Sequence, residues 1–130
     1  MYKKQSKQLT FFDFDTPLGL ELDPKNRYVL KADTMPWDEI EEEYAEEFIE
    51  SKNGNVALPA RLMVGALYIK TERGISDEEV VRQIQETPCL QYFCGLPAFT
   101  NEVPFHPATL TKFRKRLPAD FICKIEFLRI

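Results

Sequence analysis

The stretch "LPARLMVGALYIKTERGISDEEVVRQIQETP", residues 58–88, decides the fold. Pro59 suits the first turn of a helix and Gly74 its end, so residues 59–74 read as one helix. Leu62, Met63, Ala66, Leu67 and Ile69 give it a wide apolar face, which places it at the centre of the core. Gly65 costs about 1 kcal/mol of helix propensity against alanine and marks a point of close approach by another helix. After the "GIS" turn, Ser76 with Glu79 forms a capping box, and Asp77 and Glu78 favour the positive start of a second helix. Val80, Val81 and Ile84 form its buried side, and Pro88 closes it.

Downstream, "CLQYFCGLP" (residues 89–97) is apolar, ends in glycine and reads as a short helix wedged into the core. "AFTNEVPFHP" (residues 98–107), with two prolines and an asparagine, is a loop leading to a last helix within "FHPATLTKFRKRL", residues 105–117. Upstream, a helix starts near Pro36, capped by Asp33 or Thr34, with Trp37, Ile40, Tyr44 and Phe48 along one face. "SKNGN" stops it at Gly54. Residues 1–32 lack helical periodicity and suit an extended N-terminal arm, in which "RYVL" is at most one short strand without a partner. The expected fold is mainly α: a small bundle of four to five helices over residues 33–118, with a helix-turn-helix-like core.

At 130 residues the chain suits a single domain with a real core. Its 44% hydrophobic and 29% charged content is that of an ordinary soluble protein. No apolar run approaches the roughly 20 residues of a membrane helix, and "MYKKQSKQ" is followed by acids rather than a signal-peptide core. A cytoplasmic protein without membrane partner is expected. Cys89, Cys94 and Cys123 are odd in number and too loosely spaced for a structural zinc site, and the first two sit among core residues. His106, the only histidine, lies between Phe105 and Pro107, where capping or loop packing suits it better than acid–base work. No phosphate loop, nucleophile elbow or metal-binding pair occurs. No catalytic residue, cofactor, metal or small-molecule substrate is expected.

Charge is unevenly placed in a chain of net charge −4. Residues 33–50 carry nine acids and no cation, whereas residues 105–130 carry six cations against two acids. Lys112, Arg114, Lys115 and Arg116 crowd into five residues of the last helix. At about 100° per residue, Leu110, Phe113 and Leu117 form one stripe, Lys112, Lys115 and Arg116 the opposite side, and Arg114 a flank. The cations either meet nucleic-acid phosphate, with Thr109 and Thr111 donating near the helix start, or pair internally with the acidic helix, or simply face water. Residues 67–86 also have a helix-turn-helix outline. Its second helix, however, would present Asp77, Glu78 and Glu79 to phosphate, and Lys70 stands where such motifs need a small residue.

Residues 58–99 followed by "FHPATLTKFRKRL" closely resemble the N-terminal domain of InsH-like insertion-sequence transposases, and "WDEIEEEYAEEF" (residues 37–48) resembles the helix before that core. The resemblance implies a DNA-binding and assembly domain that recognises the inverted repeats at the ends of the element, in double-stranded DNA. It implies DNA contact by Thr109, Thr111, Lys112, Arg114, Lys115 and Arg116; Thr109 stands where the family more often has serine. Residues 119–130 would start the link to a catalytic domain of the DDE type, and no residue here matches its carboxylate triad, so the chain itself is expected to be non-catalytic. The alternative is a protein-interaction domain, in which the acidic helix engages other transposase copies.

Overall fold

The computed structural model describes Phe14, residues 22–48 and residues 58–116, excluding the side chains of residues 46–48 and 116. Among the described residues the regular elements are six helices: α1 (Arg27–Thr34), α2 (Trp37–Phe48), α3 (Ala60–Arg73), α4 (Asp77–Glu86), α5 (Pro88–Phe93) and α6 (Pro107–Arg116). The expected mainly α bundle is therefore present, with one helix more than expected. The Phe48 face position, the Gly54 stop and the linker at 119–130 lie outside the described residues.

The additional helix is α1, and it replaces the short strand considered for "RYVL"; of the expected arm, residues 1–13 and 15–21 lie outside the described residues. Its start is a local device. The Asp23 side chain accepts from the Lys25 amide at 2.9 Å, the Asn26 amide donates to the Asp23 carbonyl at 3.0 Å, and the Asn26 side chain caps the Tyr28 amide at 2.8 Å. Tyr28, Val29 and Ala32 bury one side of this helix against α5. Asp33 and Thr34, expected as caps of the next helix, belong instead to α1. The Asp33 carboxylate accepts from the Tyr92 hydroxyl at 2.8 Å, and the Thr34 hydroxyl donates to the Lys31 carbonyl. Helix α2 begins right after Pro36, whose carbonyl accepts from the Ile40 amide. Trp37, Ile40 and Tyr44 are buried as their spacing predicts.

Helix α3 lies at the centre, touching α2, α4 and α6, and every residue from Ala60 to Ile69 is buried. It ends at Gly74 with φ 62°, as the sequence predicts. The Ser76 hydroxyl caps the Glu79 amide at 3.1 Å; the Glu79 carboxylate accepts from the Gln83 side-chain amide rather than closing the box. Gly65 does admit a neighbour: a Cβ there would lie 3.1 Å from Cys94 Sγ and 3.4 Å from Cys94 Cα. Cys94 is a core residue whose thiol is pushed up to about 12 by burial, and Cys89 packs at the core's edge. Helix α5 is held at its far side by Gln91, wholly buried, which donates to the Gln85 and Thr100 carbonyls and accepts from the Thr100 amide, pinning the loop toward α6.

Arg61 is the unexpected member of the core. It is 2% exposed, and its guanidinium donates to the Phe93 carbonyl at 3.0 Å through Nε and to the Tyr92 carbonyl at 2.8 Å through Nη2. These are carbonyls at the C-terminal end of α5, where acceptors lack helical partners and the helix dipole favours a cation. The guanidinium also lies over Trp37, 4.8 Å from the ring centroid, and near Tyr92 at 5.5 Å. Burial pulls its pKa below the ordinary arginine value, with Tyr92 and Cys94 acting in the opposite sense. Gly95 makes room for it: φ there is +81°, and a Cβ would come within 2.8 Å of Arg61 Cδ.

Arg61→Met should lower the unfolding free energy by at least about 2 kcal/mol, because the buried Phe93 carbonyl loses the guanidinium as donor and the Tyr92 carbonyl is left with the Gly95 amide; a urea titration reads this as a lower midpoint. Gly74→Ala should cost only about 1–2 kcal/mol for the left-handed backbone, since nothing lies within 4 Å of the new Cβ. Gly95→Ala should cost distinctly more in the same titration, because the alanine must also displace Arg61.

Candidate nucleic-acid interface

The last helix is built from the loop before it. Phe105 is buried, the His106 ring accepts the Ala108 amide at 3.1 Å through Nδ1, and the His106 carbonyl accepts the Thr109 amide. The lone histidine is thus a capping residue, as its setting in the sequence suggests. Leu110 and Phe113 then sink into the core at 0% and 5% exposure, with Phe113 5.6 Å from the Tyr44 ring of α2. Complete burial of side chains of this size is worth roughly 1.5–3 kcal/mol each. This apolar pair anchors α6 to α3 and α4.

Rotating one residue further along the helix gives a second pair with the same spacing, Thr111 and Arg114. Both meet Asp77 at the start of α4. The Thr111 hydroxyl donates to Asp77 Oδ2 at 2.6 Å, and Arg114 Nη2 donates to the same oxygen at 2.6 Å. Lys70 Nζ lies 3.9 Å from the other carboxylate oxygen and donates to the Ile75 carbonyl at 3.0 Å, so the lysine straps the turn between α3 and α4. The Asp77 side chain is only 14% exposed. One carboxylate therefore gathers groups from α3 and α6 at the positive end of α4, where the helix dipole supports its charge.

One residue further again come Lys112 and Lys115, both exposed and in no ion pair among the described residues. The six residues expected to meet DNA are thus divided. Lys112 and Lys115 share the outer face; Thr109 stands partly exposed in the first turn; Thr111 and Arg114 are engaged with Asp77; the Arg116 side chain lies outside the described residues. Both ion pairs among the described residues converge on Asp77, so the partner of Arg114 comes from α4 and not from the acidic α2. On α2, Asp38, Glu39 and Glu42 face solvent, while Glu41 is buried. Sequence reasoning assigned Asp77 only a helix-start role. The i, i+3 spacing of Thr111 and Arg114 puts both on one flank of the helix beside the apolar pair, but it does not name the acceptor they meet.

Among the described residues, no group of three or more histidine, cysteine, aspartate or glutamate side chains comes together as a metal site. No helix among them is long and apolar enough to cross a membrane. The chemistry on offer is a solvent-facing cationic helix surface on a rigid base.

Comparison with known proteins shows the family. Residues 18–116 match the family described as Transposase domain (DUF772). A protein of Rhizobium meliloti, described as uncharacterized protein ORF8 in nfe locus, is 36% identical over 104 residues, covering 80% of this chain and 49% of that protein. The chain thus spans about half the length of this relative. No solved structure matches it significantly. With most of its length, from the residues before α1 to the end of α6, inside the matched region, the chain belongs to the DUF772 transposase-domain family.

Proposed function

We propose that this domain binds double-stranded DNA through the outer face of α6, as the element-end-binding part of an InsH-like insertion-sequence transposase. The observation that carries the reading is the pair Lys112 and Lys115, exposed, three residues apart and unpaired among the described residues, on a helix whose opposite face is buried in the core. Lysines so placed neutralise phosphates and release condensed counterions, which favours association in a chain of net charge −4 only where the positive charge is concentrated. Thr109, partly exposed in the first turn, is placed to donate to a phosphate oxygen, and Arg116 extends the basic run. In this reading the domain positions DNA and does no chemistry itself; hydrolysis and strand transfer belong to a DDE-type catalytic domain elsewhere in the transposase.

A second reading, association with other transposase copies, is favoured by the outer face of α2, where Asp38, Glu39 and Glu42 are exposed. Sedimentation separates the two: self-association without DNA that is lost on Glu39→Lys/Glu42→Lys supports the second reading, and a monomer that binds duplex supports the first.

Titration of the full chain against a duplex carrying the terminal inverted repeat, at several salt concentrations, tests the DNA reading. Lys112→Gln/Lys115→Gln should flatten the slope of log K against log salt by about 2, one for each lost phosphate contact. Helicity by circular dichroism should be unchanged, since neither side chain is buried. Affinity and slope equal to those of the unmodified protein would refute the assignment.

A further inference from the structure

The six helices leave Asp77 in a position that the DNA-binding reading does not use. Its carboxylate lies between two helices, and Oδ2 accepts at 2.6 Å from both the Thr111 hydroxyl and Arg114 Nη2. The carboxylate is 14% exposed and the arginine 36% exposed, so the pair is half-sheltered from solvent. Lys70, at 3.9 Å from Oδ1, is itself committed to the Ile75 carbonyl and approaches only the far oxygen.

We propose that Asp77 is a positioning residue that decides which cations of α6 reach DNA, by holding Arg114 back and turning Lys112 and Lys115 outward. The inference rests on the DNA-binding reading of α6. The geometry follows from the helix itself. Thr111 and Arg114 are fixed toward α4, and Lys112 and Lys115, each one residue later, are carried about 100° further round, away from the body of the domain.

The same arrangement withdraws Arg114 from the ligand. For its guanidinium to join a phosphate, a sheltered carboxylate must lose its closest cation, and removing one partner of such a pair is costlier than the pair is worth. A phosphate therefore meets Lys112 and Lys115 before Arg114, although the sequence offers all three. Arginine, with its planar fork, would be the stronger phosphate ligand if it were free. Asp77 also repels phosphate directly, as do Glu78 and Glu79 beside it in the first turn of α4.

Salt slopes for a duplex carrying the inverted repeat, measured on four versions of the full chain, test this. Arg114→Gln alone should leave the slope unchanged, because Arg114 contributes no phosphate contact. Asp77→Asn, which keeps the shape and still offers Thr111 an acceptor, should steepen it by about 0.9 as Arg114 is released. The double variant should return to the unmodified slope. A flattening by about 0.9 in Arg114→Gln alone would overturn the proposal, as would an unchanged slope in Asp77→Asn.

A measurement without DNA separates this idea from the reading beneath it. In nitrogen-15 NMR spectra, a guanidinium held by a carboxylate shows slowed rotation and separated Nη signals. Arg114 should show them, and Asp77→Asn should collapse them. Fast rotation in the unmodified protein overturns the latch whatever the DNA result. Slow rotation with no binding to any duplex at low salt would instead overturn the DNA reading, and with it the positioning role of Asp77.

Discussion

The guanidinium of Arg61, buried beneath the end of α5, is the constraint on which the rest of the domain depends. A charged side chain at 2% exposure is tolerable only where its donors are used, and two of them meet the Phe93 and Tyr92 carbonyls. The same contact that relieves the arginine satisfies a helix of only six residues, too short to be stable alone. Trp37 brings α2 into the cluster by covering the guanidinium face, with its indole donating to the Ala32 carbonyl of α1 at 2.8 Å. Three helices thus meet at one side chain, α3 carrying it and α5 and α2 enclosing it, and α1 joins them through Trp37. Two glycines are the geometric condition for this: Gly65 lets Cys94 approach α3, and Gly95 leaves room for the arginine's own methylenes.

Asp77 plays a comparable part on the other side of α3, and the two polar centres differ in kind. Arg61 is sealed in the core and its bonds are made to backbone, so it specifies where α5 sits. Asp77 lies at a half-exposed seam, where ion pairs add little to stability. What it contributes is rotational register. The apolar pair Leu110 and Phe113 supplies the energy that docks α6, and a greasy contact tolerates some rolling about the helix axis. A carboxylate accepting from both Thr111 and Arg114 does not. Three consecutive pairs at the same spacing therefore divide the helix into an anchor, a register and a presented surface.

Much of the fold was legible because its boundaries are written in local chemistry. Pro59, Gly74, Ser76 and Pro88 mark helix ends through their own dihedral and hydrogen-bonding preferences, with no help from tertiary structure. Gly65 was readable as a contact point because a mid-helix glycine has a propensity cost that packing must offset. Helix α1 was not readable from periodicity, since it is short and exposes Leu30 at 52%. The Asp23 turn and the Asn26 cap were the signals available. Arg61 was invisible for a different reason: its partners are main-chain carbonyls more than thirty residues away, and no residue type announces a carbonyl. At the candidate interface, the split between buried and outward residues followed from helical projection. The removal of Thr111 and Arg114 from the outward set did not, because it depends on where α4 begins in space.

That dependence bears on how a domain with a helix-turn-helix outline would meet DNA. In the usual arrangement the second helix of the motif enters the groove by its N-terminal end. In this domain that end carries Asp77, Glu78 and Glu79, which stabilise the helix through its dipole and by the same charge oppose a phosphate. Asp77 is moreover covered by α6, so the start of α4 serves as a mount for the next helix rather than as a reader. One of the acids at the start of α4, Asp77, is thus the one that orients α6. If α6 is the DNA-binding helix, the contact surface has moved one helix along the chain, and the electrostatics of α4 are the reason it could not stay where the outline would put it.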